Sequence, residues 1–191
     1  PHHLTLTDAA LADYDTNLKV NPPLRSSADV EAVRQGLLDG TIDKIATDHA
    51  PHAAHEKEAE FEAAPPGLIG METALGVLVT DLVAPGILGL PALVAAMSTA
   101  PARILGLDGQ GGPLIAGAPA NLVVFDPAAR WVVDPSRFAS RSRNCPWAGR
   151  ELTGRVVLTV FQGRVVARDG RVLGSPADAF TPAPAARQGV A

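Results

Sequence analysis

The residues best equipped for chemistry are gathered in Thr47-Asp48-His49-Ala50-Pro51-His52. Asp48 offers a carboxylate that can carry a proton or ligate a metal, and two imidazoles follow it closely. The run Ile42 to Ala46 just before it reads as a short strand. Groups at the C-terminal end of a strand are where α/β sheets hold metal and acid–base sites. Upstream, Asn21-Pro22-Pro23-Leu24-Arg25 cannot be helical, because each proline removes a donor and pushes its predecessor to extended geometry. It predicts a rigid loop that aims Asn21 and Arg25 in set directions. Downstream, Pro65-Pro66-Gly67 predicts a second rigid turn.

Helices and strands must position these groups. Pro1 to Thr7 reads as the end of a strand or the start of a loop, and Asp8 to Asp13 as a helical turn capped by Thr7. A helix is predicted over 28–39, with Ser26 or Ser27 as N-cap, and Val30, Val33, Leu37 and Leu38 on one face. Gly40 ends it. Helix followed by strand, with polar residues at the strand's C-terminal end, predicts an α/β barrel or doubly wound arrangement. The charged run Ala53 to Ala63 reads as a solvated loop or short helix. Helices are predicted over 71–83 and 90–98, broken at Pro85-Gly86, with a further helical turn over 100–105. Beyond Gly106 the pattern changes to short β runs, at 122–125, 131–133, 156–161 and 164–167, with Gln162-Gly163 as a hairpin turn. The Ala- and Pro-rich stretch 175–191 reads as a loose tail.

Composition narrows the function. Hydrophobic residues make up 47% of the 191, enough for a packed core. The net charge of −4, with no basic patch, argues against a nucleic-acid partner. No apolar run is long enough to span a bilayer, so no membrane partner is expected. The single cysteine, Cys145, excludes an internal disulfide framework and points to a reducing, cytoplasmic setting. All five histidines lie in the first 55 residues, and the chain opens on Pro1-His2-His3. A domain that begins at a candidate site reads as the C-terminal piece of something larger, although processing alone would also remove an initiator Met.

The motifs come in an informative order. Asn21-Pro22-Pro23-Leu24-Arg25, Asp48-His49-Ala50-Pro51-His52 and Gly67-Leu68-Ile69-Gly70-Met71-Glu72-Thr73 follow one another at close spacing. Pro1 to Thr7, the run Gly117 to Asp126, and Ser142-Arg143-Asn144-Cys145-Pro146-Trp147 fit the same pattern. Together they resemble dihydroorotase of the bacterial long-chain type, in the amidohydrolase superfamily, from Pro1 to about Gly170. That resemblance implies an α/β fold, the C-terminal portion of a (β/α)8 barrel over 1–106 followed by a β-sandwich segment over 107–174. It implies zinc-dependent interconversion of N-carbamoyl-L-aspartate and L-dihydroorotate in pyrimidine synthesis.

By the same resemblance Asp48 is a zinc ligand and the general acid/base, in a site holding a pair of zinc ions. His52 contacts the substrate carboxylate, Asn21 the substrate ring, and the backbone at Pro66 and Gly67 the substrate. Where the family has Phe-Gly, this chain has Pro66-Gly67, and proline has no amide to donate. The family's His-x-His zinc pair and its other ligands have no counterpart in this chain. The fragment alone is therefore expected to be inactive. The implied partners are the substrate, an N-terminal half, a second copy in a homo-oligomer, or aspartate transcarbamoylase. Two other readings stay open, a hydantoinase or allantoinase and an inactive subunit that supports the transcarbamoylase.

Each residue also has a plainer reading. Asp48 can be a turn cap, His52 a surface residue and Asn21 a turn former. His49 reads as structural, with orientation of Asp48 as its possible second role. His2 and His3, adjacent on a strand, would point to opposite faces and could not easily share an ion, and the resemblance does not make them ligands. Arg25 reads as paired with a nearby carboxylate, His55 as solvated, and Cys145 as structural.

Overall fold

The computed structural model describes residues 1–174; the expected tail, 175–191, lies outside the described residues. The first turn is a helix, α1 (His2–Thr5), where the sequence suggested a strand end. Leu6 donates its amide to His2 O at 2.8 Å and Thr5 Oγ1 donates to Pro1 O, so local bonds satisfy this backbone. Asp8–Leu11 follows as a single 3-10 turn, and Thr7 precedes it without a side-chain cap bond. The Asn21–Pro22 peptide is cis.

α2 (Ser27–Leu38) forms as predicted. Ser26 and Asp29 make a reciprocal capping box that satisfies amides at the helix start. Val30 is buried, Val33 and Leu37 pack inward, and Leu38 lies half out. Arg34 Nε donates to Leu4 O at 2.9 Å and ties α2 to α1. Gly40, at φ +84°, takes the left-handed turn after the helix.

The predicted strand over 42–46 does not form. A strand exists only as a pairing, and among the described residues no neighbour runs beside this segment. Its Ile45 amide is satisfied by Ala96 O at 3.0 Å. The pairing that does form is a single parallel bridge further on, between His49 and Leu68.

The charged run is less solvated than its composition suggested. α3 (Ala54–Lys57) buries Lys57, whose ammonium donates to Pro65 O at 2.9 Å and Gly67 O at 3.1 Å. α4 (Ala74–Leu78) continues through a widened turn, Val79–Val83. α5 (Leu90–Val94) and α6 (Ala100–Ile104) were expected as separate pieces but are joined without a break through a second widened turn, Ala95–Thr99. Pro101 can give no amide to the preceding turn, and the wider winding just before it accommodates that loss.

Four strands form one antiparallel meander: β1 (Leu122–Val132), β2 (Glu151–Phe161), β3 (Arg164–Arg168) and β4 (Arg171–Val172). The two runs expected at 122–125 and 131–133 are one strand interrupted by a bulge between Asp126 and Arg130. Pro127 has no amide for the ladder, and Asp126 Oδ1 accepts from Ala128 N and Ala129 N instead. Gln162 and Gly163, both at positive φ, make the predicted hairpin turn.

Two apolar clusters meet along α4. Val77 packs with Leu24, Leu68, Ile69, Trp147 and Leu152, while Leu78 packs with Leu4, Leu82, Leu88 and Leu93. Full burial of such side chains stabilises by roughly 1.5–3 kcal/mol each. The sheet sits close on this helix. A Cβ on Gly76 would come within 3.1 Å of the Trp131 ring, and Thr80 Oγ1 accepts from Thr153 N at 2.7 Å. Among the described residues, no helix is long and apolar enough to cross a membrane.

Candidate active site

Asp48 sits at φ +52°, a left-handed conformation that aspartate tolerates better than most residues. Its position is set by its neighbours on both sides. Ala50 N donates to Leu68 O at 2.7 Å, next to the His49–Leu68 bridge. Thr47 O lies so near Gly70 that a Cβ there would come within 2.9 Å of it. The carboxylate of Asp48 is mostly exposed and opens into a cleft of about 380 Å³. Asn21, His2 and His3 line the same cleft, with Leu4, Val33 and Ile45 among its apolar walls.

His2 is where the sequence reading and the structure part. Because α1 is a helical turn, the two histidine side chains need not point to opposite faces, and their rings lie 4.3 Å apart. His2 is only 3% exposed, and both its ring nitrogens are without hydrogen-bond partners among the described residues. Its Nε2 lies 3.9 Å from Asp48 Oδ2. Burial, reinforced by the chain's terminal ammonium and by His3, pushes its pKa down to about 3. A neutral imidazole with a free lone pair beside a carboxylate is the donor chemistry a zinc ion takes. A buried polar group is normally satisfied, so these orphaned nitrogens fit a metal that His2 and Asp48 would hold in part. Among the described residues, no group of three or more His, Cys, Asp or Glu side chains could hold one.

His52, Pro66 and Gly67 come together as a second wall. His52 Nε2 lies 3.1 Å from Pro66 O. The carbonyl can only accept, so this nitrogen carries the proton. The concern over the missing amide of Pro66 therefore bears on one atom only, since its carbonyl is engaged. Glu56 lies 3.7 Å from the other ring nitrogen of His52. Gly67, at φ +149°, passes so close to His52 that a Cβ there would be 2.7 Å from Nε2.

His49 turns away from Asp48 in its bonding, and its Nδ1 accepts from Gly70 N at 3.2 Å and Met71 N at 3.4 Å. It pins the loop that leads into α4. Arg25 pairs with Asp29 at 3.6 Å, and buried Cys145 has its thiol pushed up by desolvation, so neither presents a reactive group.

Three residues that sequence reasoning left without a role hold the second wall. Asn144 Nδ2 donates to Ala50 O and to Gly67 O, both at 3.0 Å. Ser142 Oγ accepts from His52 N at 3.1 Å. Lys57 supplies the other bond to Gly67 O. Asn144 and Ser142 lay within a motif that carried the resemblance, but no local pattern says that they reach back some ninety residues. Lys57 carried no signal at all, since a lysine among glutamates reads as solvated.

Comparison with known proteins gives three results. Residues 2–166 match the Amidohydrolase family. A dihydroorotase of Mycobacterium tuberculosis is 52% identical over 172 residues, which are 90% of this chain and 40% of that protein. One from Pelotomaculum thermopropionicum is 53% identical over 169 residues, covering 88% of this chain and 39% of its own length. The chain thus spans about two fifths of the length of these curated relatives. Among solved structures, an L-hydantoinase (dihydropyrimidinase) from Arthrobacter aurescens superposes with a TM-score of 0.84 at 34% identity, over 91% of this chain and 39% of that one.

Proposed function

The chain belongs to the amidohydrolase family, and on that premise we propose that it forms one wall of a zinc-dependent dihydroorotase site. The observation that carries this reading is the cleft shared by Asp48, Asn21 and His2, in which the Asp48 carboxylate lies 3.9 Å from a buried imidazole whose nitrogens have no hydrogen-bond partner among the described residues. In this reading residues 1–106 belong to a (β/α)8 barrel and 107–174 to a flanking β-sandwich. Asp48 contributes to a metal set completed by residues outside this chain, because a catalytic zinc usually takes three protein ligands, and His2 stands beside it.

When bound, zinc supplies a Lewis acid toward the amide carbonyl and lowers the pKa of the attacking water. Asp48 takes the proton that the water releases as it adds to the carbonyl carbon. It returns that proton to the ring nitrogen as the carbon–nitrogen bond breaks. Ring closure runs the same transfer backwards. Asn21 faces the ring from the same cleft. The substrate carboxylate accepts the hydrogen bond that His52 Nε2 now donates to Pro66 O. Holding both ends of a small acid in this way can contribute several kcal/mol through orientation.

The test is turnover of L-dihydroorotate, hydantoin and allantoin by the complete protein, with metal analysis of the same sample. Opening of dihydroorotate, lost on chelation and restored by zinc, is the expected result. Turnover of hydantoin alone would reassign it to the chemistry named for its solved relative. Absence of both metal and activity, with co-purified aspartate transcarbamoylase, would make it a supporting subunit. The isolated chain is expected to be inactive.

A further inference from the structure

The wall built by His52 and Gly67 is held by an amide that is fully used. Asn144 is 3% exposed. Its two N–H bonds go to Ala50 O and Gly67 O, each at 3.0 Å. Its Oδ1 accepts from His52 N at 3.4 Å and from the hydroxyl of Ser142. The orientation follows from the partners. Two carbonyls can only accept and one backbone amide can only donate, so the reverse placement of oxygen and nitrogen would make those three contacts repulsive. Its own carbonyl accepts from Ile69 N at 3.0 Å. One residue thereby ties residues 50–52 to residues 67–69.

The consequence falls on the His52 ring. Gly67 approaches that ring more closely than any Cβ would allow, and Pro66 O takes its Nε2 proton. A shift of a few tenths of an ångström between the two segments would therefore move the ring or break its bond. Asn144, supported by Ser142, joins the two segments by hydrogen bonds, as does the link of Ala50 to Leu68.

We propose that Asn144 is a positioning residue for substrate binding, which with Ser142 sets the gap between His52 and the Pro66–Gly67 backbone. The proposal rests on the dihydroorotase reading for the identity of the substrate carboxylate. It predicts an effect on KM, because the groups it aligns hold the substrate and do not transfer the proton that Asp48 carries.

Asn144→Asp is the decisive variant. It keeps the shape and the acceptor for His52 N but turns an oxygen toward two carbonyls. Asn144→Ala removes all four bonds, and Ser142→Ala removes the milder share. In the complete protein, Asn144→Asp and Asn144→Ala should raise the KM for dihydroorotate tenfold or more. They should leave kcat within about threefold and the zinc content unchanged. Ser142→Ala should raise KM by a smaller factor, and it carries the test if the Asn144 variants fail to fold. Folded variants with unchanged KM, or with kcat lowered as much as kcat/KM, would overturn the proposal. If the unsubstituted protein does not open dihydroorotate, the functional reading fails by itself. Asn144 is then judged by hydrogen exchange at the amides of His52 and Ile69. Faster exchange at both in Asn144→Asp supports the gap-setting role, and unchanged exchange refutes it.

Discussion

Gly67→Ala tests the geometry of the second wall most directly. Gly67 lies at φ +149°, and a Cβ there would stand 2.7 Å from His52 Nε2, 2.9 Å from His52 Cδ2 and 2.9 Å from Ala50 Cβ. Carbon atoms prefer a separation of about 3.5–4.0 Å, so each contact is a real overlap. The backbone cannot swing away, because Gly67 N donates to Lys19 O at 2.8 Å and Gly67 O accepts from Lys57 and Asn144. Strain at such a φ costs about 1–3 kcal/mol. Overpacking adds about 1–3 kcal/mol. A total near 4 kcal/mol is expected by urea denaturation.

Gly40→Ala is the matched control. It has φ +84° but no atom within 4 Å of its Cβ, so it carries backbone strain of about 1–2 kcal/mol without the overlap. The difference of about 2–3 kcal/mol between the two is the steric part. In the complete protein, Gly67→Ala should also raise KM about tenfold, since the His52 ring must move and tenfold corresponds to about 1.4 kcal/mol. Equal destabilisation by both substitutions, with KM unchanged, would refute the reasoning.

Gly154→Ala would press a Cβ to 3.0 Å from three carbons of Val79, where β2 lies on the helix. It should lower stability by about 3 kcal/mol without changing KM, which separates core strain from site strain. Asp48→Asn should reduce kcat by about 10²–10⁴ and lower metal content, with little change in stability because the side chain is mostly exposed. Metal-free protein should lose stability as pH falls through about 6.5 toward 3. Over that range the unfolded chain protonates His2 and the folded chain, with its pKa near 3, does not. His2→Gln should flatten this decline in denaturation measured against pH. Asp81→Asn should cost about 1–3 kcal/mol by the same measurement, because Arg150 Nη1 donates to Asp81 Oδ2 at 3.0 Å in a partly buried pair.

What could be read from residues alone was set by short-range physics. The N-cap at Ser26, the helix end at Gly40 and the Gln162-Gly163 hairpin depend on bonds within a few residues, and each formed where expected. Asp48 stood out in the sequence because an acid is followed there by two imidazoles within four residues. Segment 42–46 failed as a strand because pairing is a property of two segments, and its Ile42 and Ile45 amides found other partners. His2 was set aside on strand geometry, and one helical turn reversed the premise. The roles of Lys57, Ser142 and Asn144 depended on contacts made across the chain. Their side chains meet the Asp48–His52 motif and the Pro65–Gly67 turn only after the two apolar clusters have packed along α4. Hydrogen bonds reach about 3 Å, so a sequence can supply a donor but only the folded chain can bring it to its carbonyl.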